Sequence, residues 1–267
     1  MQEEVINIKS VSKVFKTEKG QCIQALNSVS LRIKENDFIC VVGPSGCGKS
    51  TLLRITAGLE QASSGHVLYR GSLVTRPDRR LGMVFQEYSL LPWRTVLDNV
   101  GLGLEFAGKP VKYCREIAFK YLELVGLENF ASSYPYELSG GMRQRVAIAR
   151  ALANDPDVLL MDEPFGALDA HTRIILQKEL LNIWEANRKT IVFVTHSVDE
   201  AIYLSDRIVV MSAGPGSIKE IIDVNMPRPR DRANPAYGKL LARILDMLEE
   251  EVASQGKNHK QYRREVI

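Results

Sequence analysis

Hydrophobic and polar positions along the chain predict strands of two kinds. In residues 5–13 and 29–33 apolar positions alternate with polar ones, which is typical of strands covered on one face only. Continuous apolar runs of strand length occupy Phe38–Val42, 158–161 and 191–195, and they indicate strands covered on both faces. Half-exposed and fully buried strands are therefore both expected.

Segments with helical spacing separate these strands. Residues 50–59, 97–104 and 113–125 repeat apolar positions at helical intervals, and a further helix is predicted from Ser139 through residue 152. Two more short strands are predicted, at 66–70 and 81–85. Because buried strands alternate with helices, we expect a largely parallel α/β core.

The C-terminal part of the chain is predicted to contain a hairpin, a helix and a polar tail. Gly214-Pro215-Gly216 lies between the strand-like segments 207–211 and 218–224, which predicts a hairpin. After residues 227–230, a helix is predicted whose apolar stripe comprises Leu240, Leu241, Ile244, Leu245 and Leu248. This helix could be a regulatory lobe, a dimer or partner interface, or a helix packed on its own domain. The polar residues from about 253 onward are expected to be loose.

Composition narrows the class of protein. The 267 residues, 45% of them hydrophobic, fit one large α/β domain or a domain with a small appended lobe. Lys and Arg number 35 against 32 Asp and Glu, which gives no sequence-wide argument for nucleic-acid binding. The four cysteines form no C-x-x-C pair, the N-terminus has no signal-peptide pattern, and no apolar stretch is long enough to span a bilayer. We therefore expect a reduced, cytosolic protein that could serve a membrane only from its cytoplasmic side.

A glycine-rich loop between the strand Phe38–Val42 and the following helix carries the first chemical signal. It matches G-x-x-x-x-G-K-[ST] at every fixed position and in the required strand–loop–helix setting. Lys49 is expected to reach the β- and γ-phosphates of a nucleotide, Ser50 to ligate Mg²⁺, and Thr51 to support the phosphates. The predicted ATP-binding residues of this loop are Gly43, Pro44, Ser45, Gly46, Cys47, Gly48, Lys49, Ser50 and Thr51. Cys47 is either a small side chain where size matters or a reactive thiol.

An acidic pair follows the buried run 158–161. Ligands collect at the carboxyl ends of parallel strands, so Asp162 is the predicted Mg²⁺-side carboxylate. The adjacent Glu163 is the predicted general base that polarises the attacking water. A solvated acidic turn before Pro164 is the alternative, and the phosphate loop in the same chain argues against it.

Leu138-Ser139-Gly140-Gly141 opens the helix that runs to residue 152. A serine and two glycines at a helix N-terminus can cap the helix or bind a second phosphate group. This segment resembles the signature of the ABC ATPases, and residues from about 5 to 225 follow the motif order of that family. The resemblance implies a head-to-tail dimer, in which Ser139, Gly140 and Gly141 of one subunit close over ATP bound by the other.

The same resemblance implies roles for four further residues. Phe15 matches the aromatic position that stacks on adenine, where many members have Tyr, and Gln86 matches the glutamine that contacts Mg²⁺ and senses the membrane partner. Asp169, in Ala167-Leu168-Asp169, resembles the loop that communicates across the dimer. His196 matches the histidine that contacts the γ-phosphate, and with Glu163 and Lys49 it completes the predicted catalytic set.

The implied fold is a P-loop NTPase of the ABC ATPase type. It has a RecA-like parallel-sheet core, an antiparallel β subdomain and a helical signature subdomain at about residues 87–155. The nucleotide-binding domain is expected to cover residues 1–227, followed by a C-terminal helical extension over 228–267.

An apolar, aromatic run follows Gln86, where a surface connection is expected. It comprises Tyr88, Leu90, Leu91, Pro92 and Trp93. Apolar aromatic surface of this kind is typical of a partner groove, and the resemblance implies that a coupling helix of a membrane permease docks there. Alternatively, Trp93 and Leu91 fill the core of the helical segment.

Segments 91–100 and 161–170 resemble the importer branch that serves nitrate, sulfonate, taurine and bicarbonate. That branch implies permease subunits, a second ATPase subunit, most simply an identical one, and an extracytoplasmic solute-binding protein. It places the subunit at the cytoplasmic face of the membrane and gives no role to nucleic acid. The alternatives are an ABC-type ATPase that drives export or lipid transport, and a non-transport ABC ATPase that acts on nucleic acid or ribosomes. The solute is not encoded in this sequence.

Overall fold

The computed structural model describes residues 3–265, and the side chains of these residues other than 187, 252 and 254–265. Its strands are β1 (Glu4–Lys16), β2 (Cys22–Lys34), β3 (Phe38–Val42), β4 (Ser64–Tyr69), β5 (Ser72–Leu73), β6 (Leu81–Val84), β7 (Val158–Asp162), β8 (Thr190–Val194), β9 (Arg207–Met211) and β10 (Ile218–Asp223). Its α-helices are α1 (Lys49–Thr56), α2 (Val96–Phe106), α3 (Val111–Leu124), α4 (Gly140–Leu152), α5 (Ala170–Asn187), α6 (Val198–Leu204) and α7 (Pro235–Glu265). The chain forms two compact units: the first runs to Pro77 and resumes at Val192, and the second is Asp78–Ile191.

The first unit contains the half-exposed strands that the sequence predicts. They form a four-stranded antiparallel sheet in the order β2-β1-β4-β5. Its apolar positions, such as Ile8 opposite Leu31 and Val11 opposite Val29, are buried, while the polar positions between them are largely exposed. Both predicted strands are confirmed, and each is longer than its apolar alternation.

The same unit contains the buried strand β3, all five residues of which are buried. It lies parallel to β9, with Val41 opposite Val209. Strand β10 then pairs antiparallel with β9, which confirms the predicted hairpin. Because β3 is covered on both faces, the loop that leaves its carboxyl end is held on a rigid element.

The second unit pairs β6 and β7 in parallel and packs helices α2, α3 and α4 together. Helices α2, α4 and α5 begin at capping side chains, whereas α3 begins after Pro110 without one: Thr95 accepts from Asp98 N, Ser139 from Met142 N and Asp169 from Thr172 N. These caps satisfy amide groups that the helices leave unpaired. The unit extends beyond the predicted helical segment 87–155, because it also includes β6, β7 and α5.

Helix α7 belongs to the first unit and packs on α6. Of its predicted stripe, Ile244 is fully buried, whereas Leu245 is 42% exposed. The helix continues to Glu265, through the segment where the sequence predicts a loose tail. None of the helices within residues 3–265 is long and apolar enough to cross a membrane.

Candidate functional site

The phosphate loop of the first unit closes around its own lysine. Lys49 is the first residue of α1 and is only 5% exposed. Its ammonium donates to the carbonyl oxygens of Gly43 at 2.9 Å and Pro44 at 3.0 Å. Gly48, which caps α1, has φ 95° and leaves no room for a β-carbon, which would lie 2.6 Å from Leu26 Cδ2. The loop thus holds a buried cation where its backbone meets the N-terminus of a helix, an arrangement suited to phosphate.

Cys47 lies inside this loop and is 1% exposed. Burial raises the pKa of its thiol, an effect that the nearby Lys49 ammonium opposes only in part. Since the thiolate is the reactive form, this environment favours an inert thiol. The geometry supports the interpretation of Cys47 as a small, packed side chain.

Gly216, in the β9–β10 hairpin, lies directly against the loop. A β-carbon there would lie 1.8 Å from the carbonyl oxygen of Cys47. The backbone of Gly216 is fixed on the other side, since its N–H donates to Ala25 O at 3.0 Å and its carbonyl accepts from Asn27 N at 2.8 Å. The sequence indicated a hairpin here but gave no sign of this contact, which joins residues far apart in the chain.

Phe15 lies near the end of β1 and is 39% exposed. The ammonium of Lys13 lies 4.8 Å from the centre of its ring, and Lys13 also donates to Glu60 at 2.6 Å. An exposed ring with a cation against it can stack on a flat base. The predicted stacking role therefore fits the position of Phe15.

His196 lies exposed between β8 and α6, in a segment fixed by its neighbours. Thr195 Oγ1 donates to Glu200 Oε2 at 2.5 Å and accepts from Ser197 N at 3.0 Å. Ser197 caps α6 by accepting from Glu200 N at 3.3 Å. The pattern Ser197-x-x-Glu200 is a capping-box signal that could have predicted the start of α6.

In the second unit, Gln86 and Glu163 come together. The Gln86 amide nitrogen lies 3.5 Å from Glu163 Oε2, at the outer limit of a hydrogen bond. Glu163 follows β7 and has φ 45°, a left-handed conformation that is unfavourable for a residue with a side chain. Strained residues of this kind are common at functional sites, where the surrounding structure compensates their cost. The two residues that the sequence assigned to the metal and the water are thus neighbours.

The signature segment and Asp169 also lie together in the second unit. Ser139 is exposed at the N-terminus of α4, and a β-carbon at Gly141 would lie 2.7 Å from Thr172 Cγ2. Thr172 N donates to Asp169 at 3.0 Å, and this hydrogen bond lowers the pKa of Asp169. Asp169 is therefore held beside the start of α4 and stays ionised well below neutral pH.

A groove in the second unit lies next to the residues that follow Gln86. It is a cavity of about 400 Å³ whose walls include Phe85, Leu102, Phe106 and Arg150. Arg150 donates to the carbonyls of Tyr88 at 2.8 Å and Ser89 at 2.6 Å, and burial lowers its pKa. Phe106 is 81% exposed.

Trp93 is 71% exposed, so the alternative that it fills the core is wrong. Leu91, in contrast, is partly buried, and its backbone is bonded to the buried Asn99 side chain. The run therefore presents one large aromatic side chain while its leucines are partly covered.

The residues expected to hold Mg²⁺ carry the oxygen donors that this ion requires. Among the described residues, no group of three or more His, Cys, Asp or Glu side chains could hold a metal ion. Mg²⁺ is commonly bound by one or two carboxylates together with substrate phosphates. The Ser50 hydroxyl, the Asp162 carboxylate and the Gln86 amide provide the oxygen donors that it prefers.

Similarity to known proteins extends over nearly the whole chain. The profile of the family described as ABC transporter matches residues 26–166. An uncharacterized ABC transporter ATP-binding protein of Methanocaldococcus jannaschii is 54% identical over 247 residues, 92% of each chain. The aliphatic sulfonates import ATP-binding protein of Bacillus thuringiensis is 48% identical over 91% of this chain and 96% of its own.

Solved structures give the same result. A bacterial ABC transporter cassette solved as a dimer has a TM-score of 0.74 and 37% identity, over 83% of this chain and all of its own. The same cassette has also been solved as a dimer bound to ADP and phosphate after hydrolysis. The chain belongs to the ABC transporter family, in which it is a P-loop ATPase subunit that binds and hydrolyses ATP.

Proposed function

We propose that this subunit drives the import of a sulfonate or a similar small solute by hydrolysing ATP in a head-to-tail dimer. Relatives that serve aliphatic sulfonate import are 47–48% identical over 91% of the chain, which supports this branch. The proposed hydrolysis of ATP is supported mainly by the position of Gln86 next to Glu163, which follows β7.

In this proposal the first unit binds the nucleotide. The phosphate loop provides backbone N–H groups, and Lys49 leaves the carbonyls of Gly43 and Pro44 to contact the β- and γ-phosphates. Phe15 stacks on the adenine. Lys49 exchanges two hydrogen bonds to neutral carbonyl oxygens for bonds to negatively charged phosphate oxygens, so that donor and acceptor are then both ionised.

Hydrolysis is assigned to residues at the ends of β6, β7 and β8. Ser50, Asp162 and Gln86 would hold Mg²⁺, which neutralises phosphate charge when bound. Glu163 accepts a proton from the attacking water, and His196 donates a hydrogen bond to the γ-phosphate. The amide of Gln86 lies next to the Glu163 carboxylate, so the metal-side and water-side groups are neighbours.

The signature acts on the nucleotide of a second copy of the subunit. Ser139 is exposed at the N-terminus of α4, so its hydroxyl and the first amides of the helix can meet phosphate oxygens. Asp169, fixed beside this terminus, then responds to the state of the neighbouring site. ATP drives closure because it binds the closed dimer more tightly than the open one.

A permease docks on the groove lined by Phe106 and on the exposed Trp93 of the run after Gln86. Both side chains are largely exposed, and large exposed aromatics are characteristic of protein interfaces. Arg150 fixes the backbone of Tyr88 and Ser89, two and three residues after Gln86. A shift of the docked helix would therefore be transmitted along this segment to the Gln86–Glu163 contact.

The subunit would act at the cytoplasmic face of the membrane, and an extracytoplasmic binding protein would deliver the solute.

Membrane co-purification tests the partner. A tagged full-length subunit extracted in detergent should retain a multi-span protein, and Trp93→Ser should reduce its recovery. Tyr136→Ser is the matched control, because Tyr136 is also an aromatic residue with 71% exposure. Equal recovery for wild type and Trp93→Ser would contradict docking at Trp93, and failure to recover any multi-span protein would contradict the proposed permease partner.

Growth of a deletion strain tests the solute. The strain is supplied with taurine, alkanesulfonates or nitrate as the sole source of sulfur or nitrogen. Loss of growth on a sulfonate, restored by wild type and not by Glu163→Gln, is the expected result. Normal growth on every sulfonate with loss on nitrate would reassign the solute within the same branch.

A further inference from the structure

Helix α6 is short and begins next to the predicted catalytic histidine. It has seven residues, Val198–Leu204, and starts two positions after His196. A helix of this length is not stable by itself, because nucleation costs more than so few hydrogen bonds return. Its stability, and hence the position of His196, must come from the elements packed around it.

Two arginines from the segment before α7 cap the C-terminal end of α6. Arg228 donates to the carbonyl of Leu204 at 2.6 Å. Arg230, only 5% exposed, donates to the carbonyls of Ile202 at 2.7 Å and Tyr203 at 3.2 Å. These are carbonyls that a helix end leaves without partners, and a cation there also interacts favourably with the helix dipole.

The N-terminal end of α6 is held by Arg232, in the same segment, and by Tyr237, on the first turn of α7. Arg232 forms a two-pronged pair with the Asp199 carboxylate, Nε to Oδ1 at 2.9 Å and Nη2 to Oδ2 at 2.8 Å. The Tyr237 hydroxyl, almost completely buried, donates to Asp199 Oδ1 at 2.7 Å and contacts its carbonyl oxygen at 2.9 Å. Burial alone would raise the pKa of Asp199, but the hydrogen bonds from Arg232 and Tyr237 outweigh it and lower the pKa.

Arg232 is itself held in place. Its guanidinium lies 4.1 Å from the centre of the Tyr203 ring, on the following turn of α6. A planar guanidinium that is paired on its edge and stacked on its face has little conformational freedom. It therefore restricts the position of the Asp199 carboxylate to which it is bound. Asp199 is three residues from His196 and therefore lies at the point where α6 meets the histidine segment.

We infer that Arg232 and Tyr237 are positioning residues for ATP hydrolysis: through Asp199 they fix the start of α6 and with it His196. This inference rests on the proposed role of His196 and extends it to a segment outside all the nucleotide-binding motifs. A bond to the γ-phosphate contributes most when its donor is already placed, since misplacement by about 1 Å can cost about 10²-fold in rate. Arg232 and Tyr237 thus act on hydrolysis through Asp199, from outside the nucleotide-binding motifs.

The test compares variants of the full-length subunit by kcat for ATP, Kd for ADP and Tm. Arg232→Gln should lower kcat about tenfold, and Tyr237→Phe about threefold, with ADP affinity unchanged, because ADP lacks the γ-phosphate. Tyr237→Phe keeps the ring and removes only the hydroxyl, so it remains informative if Arg232→Gln folds poorly. Arg232→Lys should recover part of the rate. Arg243→Gln is the matched control, since it removes the exposed ion pair between Arg243 on α7 and Glu220 on β10 and should leave kcat unchanged.

A double variant separates positioning from general stability. His196→Ala with Arg232→Gln should be no slower than His196→Ala alone, since both changes remove the same interaction. Wild-type kcat in Arg232→Gln and Tyr237→Phe, with only Tm lowered, would overturn the inference. A further loss of rate in the double variant would also overturn it. Wild-type kcat in His196→Ala would instead remove the proposed role of the histidine, and the inference with it.

Discussion

Gly216→Ala should damage the phosphate loop from a position outside all the nucleotide-binding motifs. The new β-carbon would lie 1.8 Å from the Cys47 carbonyl oxygen, whereas carbon and oxygen atoms approach to about 3.3 Å at closest. The hairpin and the loop must therefore separate by about 1.5 Å. Neither can move freely, because Gly216 is bonded to Ala25 and Asn27 on one side and the loop is closed around Lys49 on the other.

The expected losses of stability and of ATP affinity follow from the contacts that the new β-carbon would disrupt. If the hairpin moves, it weakens two backbone hydrogen bonds, each contributing about 1 kcal/mol net. Remaining overlap in a well-packed region adds about 1–3 kcal/mol. The free energy of unfolding should then fall by about 2–4 kcal/mol. If the loop moves instead, its amides no longer match the phosphates, and ATP should bind about tenfold more weakly, equivalent to about 1.4 kcal/mol.

Urea unfolding and nucleotide titration of the full-length subunit measure both quantities. Gly238→Ala is the control, because nothing lies within 4 Å of a β-carbon at this exposed helical position. That change should stabilise the protein by about 0.5–1 kcal/mol, since alanine favours a helix over glycine. If Gly216→Ala unfolded at the wild-type urea midpoint and bound ATP with wild-type affinity, the close approach of the hairpin to the loop would be refuted.

Three further predictions concern single side chains. Lys49→Ala should weaken ATP binding itself, measured by titration, and unchanged affinity would remove Lys49 from the phosphate site. Cys22, which is exposed, should react with a maleimide much faster than Cys47, because the thiol of Cys47 is buried and its pKa is raised. Mass spectrometry of the labelled peptides measures the order of reaction, and faster labelling of Cys47 would contradict this reasoning. The pKa of Asp199 is lower in the folded than in the unfolded protein, so its contribution to stability is complete above the unfolded value of about 4 and is lost as pH falls through the folded value. Asp199→Asn should therefore flatten the acid limb of the stability–pH curve, and an unchanged limb would argue against the contribution of this carboxylate.

Local patterns predicted the elements that carry the chemistry. The buried run Phe38–Val42 and the glycine-rich loop after it specify a strand, a turn and a helix within twenty residues, and the structure confirms all three. The hairpin β9–β10 and the helix opened by Ser139 were predicted for the same reason. Each depends on hydrophobic spacing, turn residues and caps that lie next to one another in the chain.

Contacts between distant segments could not be predicted in this way. Gly216 meets Cys47 across about 170 positions, and Arg232 meets Asp199 across 33. Nothing in the local composition of either segment identifies its partner, because such contacts depend on how the sheet orders its strands and where the last helix packs. The exposure of Trp93 is of the same kind, since a tryptophan in an apolar run fits a core and a partner groove equally well until its surroundings are known.

Hydrolysis in this mechanism depends on Glu163 as the base, and the rate of ATP hydrolysis by Glu163→Gln measures that dependence. The substitution preserves size and removes the proton acceptor. The rate should fall by about 10²–10⁴-fold, the usual contribution of a general base, while ATP affinity measured on the same sample stays within about twofold. A rate close to wild type, with affinity intact, would contradict the assignment of Glu163 and the mechanism built on it.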